Sequence, residues 1–188
     1  MAAALKDAGL APPVLHLAAS CGALRYPGLA YDMVRAGSAL TGFLPIPNHW
    51  GLRPACRLVS YLTDVRSLPK GHNIGYAQLY KTRKTTRIGL VSIGTYDGFG
   101  LNGKPVINSF TDVLRSIKYN CLALMRRQGL AGYWQGNALP VLGRVSVSSL
   151  VVDVGDHPCR AGDQISFTVN PIFVRDTLPR RHRTVDSG

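Results

Sequence analysis

Pro45-Ile46-Pro47-Asn48-His49-Trp50-Gly51-Leu52-Arg53-Pro54 separates two kinds of sequence in this chain. Its prolines and Gly51 block a continuous helix or a central strand. On the N-terminal side lie two short apolar runs, Val14-Leu15-His16-Leu17-Ala18 and Tyr31-Asp32-Met33-Val34-Arg35, with a Gly- and Ala-rich helical stretch between them. Strand, helix, strand at this spacing predicts a βαβ unit with parallel strands. On the C-terminal side the rhythm changes. Residues 56–63, 86–93, 142–148 and 150–154 read as strands, with turns at Pro69-Lys70-Gly71-His72 and Gly155-Asp156-His157-Pro158. Short strands with turn signals between them predict a mainly β region, a sandwich or a barrel.

One stretch breaks that rhythm. Ser109 is a helix cap, and Phe110, Val113, Leu114, Ile117, Cys121 and Met125 fall on one face before Gly129 ends the pattern. This predicts an amphipathic helix packed on the β-region. Arg115, Lys118, Arg126 and Arg127 leave membrane-surface binding as its alternative.

Composition narrows the classes. A chain of 188 residues that is 46% hydrophobic has ample material for one packed domain and little for two. No apolar run approaches the roughly 20 residues of a membrane span. Met1-Ala2-Ala3-Ala4-Leu5-Lys6-Asp7 lacks the basic start and long apolar run of a secretory signal. Cys21, Cys56, Cys121 and Cys159 are scattered with no Cys-x-x-Cys pair, which argues against a zinc ribbon and fits free thiols in a reducing cytoplasm. His157 and Cys159 are two neighbouring ligand types on one loop, too few for a metal site.

The formal charge is +12, from 22 basic and 10 acidic residues, and every acidic residue is Asp. We have no physical account of the absence of Glu. Such a charge favours polyanions. No zinc finger, RNA-binding signature or basic stripe accompanies it, so a solvated Arg-rich surface is the preferred reading over a nucleic-acid interface. A non-catalytic β-domain binding a protein or polyanionic partner remains the alternative function.

Chemistry-bearing residues follow the two apolar runs. Ser20 comes just after the first and Gly37 just after the second. In a (β/α)8 barrel the loops after strands seven and eight commonly bind phosphate. A hydroxyl and uncovered backbone N–H groups are suitable donors for it.

Read in order, His16-Leu17-Ala18-Ala19-Ser20, Asp32-Met33-Val34-Arg35-Ala36-Gly37, Gly75-Tyr76-Ala77, Ile93-Gly94-Thr95-Tyr96-Asp97-Gly98 and Pro140-Val141-Leu142-Gly143-Arg144-Val145-Ser146 resemble the last third of the alanine racemases. Those are enzymes that use pyridoxal 5'-phosphate. The likeness runs from about His16 to Arg180, with an insertion near 101–128. It implies a mainly β fold: a C-terminal β-domain at 55–182, preceded in 1–45 by the last two βα units of a (β/α)8 barrel. Residues 46–54 are then a linker and 183–188 a tail.

The same resemblance implies interconversion of L- and D-alanine, with a small amino acid as substrate. It assigns the cofactor phosphate to Ser20, Gly37 and Ser38, the pyridine nitrogen to Arg35, and the support of Arg35 to His16. A guanidinium keeps its proton, so it leaves the ring a weaker electron sink and favours simple racemisation. Tyr76 matches the catalytic phenol that exchanges the α-proton. A phenol titrates near pH 10, so neighbouring cations must lower that value for it to act as a base. The backbone N–H of Val147 matches the group that meets the substrate carboxylate. In the family this Tyr reaches into another subunit's barrel, which implies a homodimer or a missing N-terminal half, with no membrane involved.

The Schiff-base Lys of the family belongs to its N-terminal portion. Lys6, Lys70, Lys81, Lys84, Lys104 and Lys118 all fall outside that motif, so the chain alone is expected to be inactive. Other positions depart as well. Ala19 stands where Asn is usual, Thr41 for Tyr, Gly94-Thr95-Tyr96-Asp97-Gly98 for Gly-Tyr-Ala-Asp-Gly, Val147-Ser148 for Met-Asp, and Asp176 near a phosphate-contacting Tyr. Two barrel strands without their neighbours are expected to leave open edges and exposed apolar surface.

Overall fold

The structure, a computed structural model, describes residues 2–10, 13–75, 80–101, 113–114, 117 and 130–182. The chain divides into two compact units, Met1–Cys56 and Arg57–Gly188.

The first unit holds three short helices, α1 (Ala2–Asp7), α2 (Ser20–Arg25) and α3 (Ser38–Thr41), with a 3-10 turn at Pro27–Leu29. The two apolar runs do lie parallel, but not as strands. A single parallel bridge joins Ala19 to Arg35. Backbone bonds from Asp32 N to Leu15 O and from Arg35 N to Ala18 O extend it. The Asp32 carboxylate accepts from Leu15 N at 2.9 Å. Among the described residues no further strand pairs with these two segments, and two segments by themselves lack the cooperative pairing that stabilises a ladder. Little is buried in this unit: Ala18 and Ser20 are, while Val14, Leu17, Met33 and Leu40 are exposed. The Pro-rich segment belongs to the same unit. Ala55 N donates to Thr41 O, and a Cβ on Gly42 would sit 2.2 Å from the Arg53 carbonyl oxygen.

The second unit is a closed antiparallel barrel. Its strands are β1 (Arg57–Leu68), β4 (Thr86–Val91), β5 (Ala131–Trp134), β6 (Asn137–Leu142), β7 (Leu150–Asp153) and β8 (Gln164–Thr168), ordered β1-β4-β7-β6-β5-β8 around the wall. A small hairpin, β2 (Asn73–Ile74) with β3 (Tyr80–Lys81), lies outside it. Alternation decides the faces: along β1, Leu58 and Leu62 point inward while Val59 and Tyr61 stay exposed. The interior is filled by Leu62, Val91, Leu139, Leu150, Val152, Ile165 and Phe167, with Phe99 edge-on to Phe167 at 4.7 Å. Gly132 makes room for that ring, because a Cβ there would lie 2.8 Å from both Ile165 and Phe167. A second cluster of Ile74, Ile88 and Leu142 fastens the β2–β3 hairpin to the wall.

Several strand expectations hold, and others need correction. The strands expected at 56–63, 86–93 and 150–154 are β1, β4 and β7 within a few residues. The strand expected at 142–148 is not one. The ladder of β6 ends at Leu142, and Gly143 (φ 71°) turns the chain away, with Ser146 N bonded to Ser149 O. The β5–β6 hairpin and β8 were not foreseen. The hairpin turns on Gln135 and Gly136, both at positive φ (47° and 86°), which is the backbone of a tight two-residue connection. Of the amphipathic stretch, Val113, Leu114 and Ile117 are helical and exposed; Phe110, Cys121 and Met125 lie outside the described residues. Among the described residues, no helix is long and apolar enough to cross a membrane.

Candidate functional site

Unit 1 contributes one polar junction. Ser20 opens α2 directly after the first apolar run, and Gly37 precedes α3 directly after the second. The parallel bridge brings the two ends together. Ser20 Oγ accepts from Gly37 N at 2.9 Å and from Ala39 N at 3.1 Å, and the residue is buried. A serine hydroxyl has two acceptor sites and one proton. With both acceptor sites filled by amides, its O–H is what remains to offer outward. Among the described residues no hydrogen bond occupies Ser38 N, and a Cβ on Gly37 would meet nothing within 4 Å. The junction therefore has donors and open space over the backbone, the properties a phosphate monoester needs. Ala39 N is a member that sequence reading missed; only the three-dimensional return of α3 onto Ser20 reveals it.

Arg35 and His16 flank this junction on the same two segments. Both side chains are exposed, and no hydrogen bond joins them. Arg35 is held through its backbone, by the bridge to Ala19.

Unit 2 gathers the other motif segments. Tyr76 lies outside the described residues. Thr82 is buried; it accepts from His72 N at 2.8 Å and donates to Pro69 O at 2.6 Å, which ties the 69–72 turn to the end of β3. Gly75 packs on Arg144, whose backbone N and O would lie 3.8 Å from a Cβ on Gly75. The Gly94–Gly98 turn is fixed from two sides. Thr95 N and Tyr96 N each donate at 3.0 Å, to Ser146 O and Val147 O. A Cβ on Gly94 would be 2.1 Å from Val147 O, and one on Gly98 2.3 Å from Phe173 O. These approaches explain why glycine stands at both positions.

Asp97 organises that turn. One carboxylate oxygen accepts from Gly94 N at 3.0 Å, and the other pairs with Arg175 at 3.3 Å. The Arg175 guanidinium in turn lies over the Tyr96 ring. Arg175 Nε is buried without a hydrogen-bond partner. Asp97 and Tyr96 came from a quoted motif, but Arg175 was missed; no local pattern marks a residue 78 positions downstream as their partner. Val147 is exposed beside Tyr96, and its N–H carries no hydrogen bond among the described residues. Asp176 is also exposed. Among the described residues, no cluster of three or more potential metal ligands occurs.

Comparison with known proteins accounts for both units. Residues 55–176 match the family described as "Alanine racemase, C-terminal domain", and residues 1–45 match "Alanine racemase, N-terminal domain". The chain is 34% identical over 155 residues to the alanine racemase of Shewanella denitrificans, covering 79% of this chain and 36% of that protein. It is 30% identical over 152 residues to a broad specificity amino-acid racemase of Pseudomonas taetrolens, covering 80% of this chain and 31% of that protein. Among solved structures, the alanine racemase from D-cycloserine producing Streptomyces lavendulae superposes with a TM-score of 0.65 at 27% identity, over 90% of this chain and 40% of that one. The biosynthetic alanine racemase of Pseudomonas aeruginosa gives the same TM-score, 0.65, over 88% of this chain and 41% of that one. The chain thus spans well under half the length of these relatives.

Proposed function

The chain belongs to the alanine racemase family, and from that premise we propose that it supplies the C-terminal part of an amino-acid racemase dependent on pyridoxal 5'-phosphate, acting on alanine or a similarly small amino acid. Pyridoxal phosphate, when bound, supplies the electron sink that makes an amino acid's α-proton removable. In this reading Ser20 O–H and the open backbone N–H of Ser38 hold the phosphate, and the Gly37 N–H, which is bonded to Ser20 Oγ, joins them by sharing its hydrogen. Arg35 keeps its proton and directs an N–H toward the ring nitrogen, with His16 behind it. Tyr76 moves the α-proton on one face, and Val147 N–H orients the substrate carboxylate. The pocket is completed by a second copy of the chain, by an N-terminal polypeptide that provides the lysine, or by both. The chain by itself does not turn over.

The observation that carries this reading is the junction of Ser20 with Gly37 and Ala39. It brings a hydroxyl and two amides together across 17 and 19 residues, where the family motif calls for a phosphate grip. The test combines this chain with the N-terminal portion of an alanine racemase and follows conversion of L- to D-alanine on adding pyridoxal phosphate. Conversion is expected from the mixture and from neither part alone. Tyr76→Phe in the active mixture is expected to lower kcat on the order of a hundredfold or more, the scale of a lost general base. A fully active Tyr76→Phe mixture would remove the phenol from the mechanism. A mixture without activity that nevertheless binds the cofactor would remove the racemase reading.

A further inference from the structure

The charge of the chain has one concentrated expression in unit 2 that racemase chemistry does not use. Beside the distal half of β1 is a shallow, open cavity of about 380 Å³ whose lining includes Asp64, Arg66, Ser67, Arg87, Cys159 and Arg160. That volume is at the small-ligand end of binding clefts. Three arginines and one aspartate are among its lining residues. Asp64 is already committed, since Arg66 Nε pairs with it at 2.6 Å. Arg87 faces only neutral partners: its guanidinium donates to the carbonyl oxygens of His157 and, at 2.5 Å, Cys159. Arg160 is exposed, and its side chain makes no hydrogen bond or ion pair among the described residues. Among the described residues neither Arg87 nor Arg160 makes an ion pair, although the Asp163 carboxylate lies in the same loop, bonded to Arg160 N.

The wall is also rigid. The 157–163 loop is closed on itself by Cys159 N to His157 O at 2.8 Å and by Arg160 N to the Asp163 carboxylate at 3.0 Å. The same carboxylate accepts from the Trp134 indole at 3.1 Å. Gly162 N donates to Leu62 O at 2.7 Å, and Leu62 N to Asp163 O at 2.9 Å, which tacks the loop to β1. Arg87, paired across the ladder with Ser67, clamps its other end. Donors held in place before binding lose little freedom when a ligand arrives. Planar guanidinium forks match oxyanion geometry, and the Ser67 hydroxyl adds a neutral donor.

We propose that this cavity binds a small polyvalent oxyanion, with its oxygens shared between Arg160, Arg87 and Ser67 and the Arg66–Asp64 pair forming the rim. Its lining residues include none of those at the Ser20 junction or in the Tyr96–Val147 region, and the inference does not depend on the racemase reading. Its ligand is a di- or polyphosphate or a polycarboxylate; these share one chemistry and are separated by the probes used.

The test is calorimetric titration of the whole chain, at low salt, with pyrophosphate in one arm and citrate in the other. Saturable one-to-one binding is expected in at least one arm, and the tighter arm identifies the class. Arg160→Gln should weaken that binding about tenfold. Asp64→Asn should tighten it several-fold by removing the one acidic residue among those described as lining it. Arg57→Gln, an exposed arginine at the far end of β1, should leave it unchanged. Thermal melts of each variant without ligand separate a folding defect from a binding defect. Absence of saturation in both arms would overturn the proposal. So would equal weakening by Arg160→Gln and Arg57→Gln, because that is the signature of diffuse attraction to a basic surface.

Discussion

The Arg175 guanidinium lies 4.4 Å from the centre of the Tyr96 ring, which it holds beside Val147. The same group pairs with Asp97, so one cation secures both a ring and a turn. Tyr96 is exposed, and the guanidinium limits the positions its ring can take.

Replacing Arg175 with Ala is expected to cost about 1 kcal/mol, since the ion pair is partly solvated and a cation–π contact at such a site is modest. Arg175→Lys should recover part of this. Urea denaturation of the whole chain measures it through the midpoint at constant slope. A neutral Arg175→Ala would mean that the backbone bonds to Ser146 and Val147 hold the turn unaided.

Gly98 is the sharper test of the same turn. Its φ of 94° disfavours any side chain, and a Cβ would collide with Phe173 O. Gly98→Ala should therefore cost roughly 3 kcal/mol or more, from strain plus collision. Gly155→Ala is the control: φ is 50° there and a Cβ would meet nothing within 4 Å, so only the backbone cost of about 1 kcal/mol should remain. Comparing the two denaturation midpoints isolates the contribution of close packing.

Ser20→Ala removes the shared acceptor of Gly37 N and Ala39 N. Two part-buried amides lose their partner, a penalty on the order of 1 kcal/mol, at the low end for unpaired groups. Amide hydrogen exchange should accelerate at both residues by tenfold or more, while the barrel amides of Leu139, Val152 and Ile165 keep their protection. Unchanged exchange at Gly37 would show that the hydroxyl contributes nothing to the junction.

Cys159 predicts a pH dependence. Burial, and secondarily the charge of Asp163, push its thiol above the ordinary value of 9.0, against a smaller opposing effect of Arg87. The folded state therefore favours the protonated thiol. The resulting stability is complete below pH 9.0 and is lost as the pH rises from there through the higher folded value. Denaturation midpoints above pH 9 should fall less steeply in Cys159→Ala than in the parent chain. Below that range the same thiol should resist a thiol reagent in the folded chain, whereas Cys21 and Cys56, which are half-buried, react.

Much of the architecture was legible before any coordinates. The β-rich composition of 56–63 and 150–154 marks β1 and β7, and the Pro-rich segment lies where the sequence changes character. The hairpin of β5 and β6 was hidden because its turn is Gln135-Gly136, and Gln is not the residue usually associated with a left-handed backbone. The run at 142–148 misled because β-branched residues continue past the point where Gly143 leaves the ladder. The first unit misled for another reason. Its two apolar runs have strand composition, but a strand is a cooperative object, and one bridge is all that two lone segments sustain.

The site divides in the same way. Ser20, Gly37, Asp97 and Val147 could be named from short motifs, because each type carries its chemistry in the side chain or in a bare backbone. Family membership, the mainly β character and the excess of positive charge were likewise determined by the order and kind of residues along the chain. Tertiary structure alone decided that Ser20 spends both acceptor sites on Gly37 and Ala39, that Arg175 returns to Asp97 and Tyr96, and that Arg87 and Arg160 meet across one cavity. Such contacts join residues tens of positions apart, and their geometry is set by barrel closure and strand register, which a short stretch of sequence does not encode.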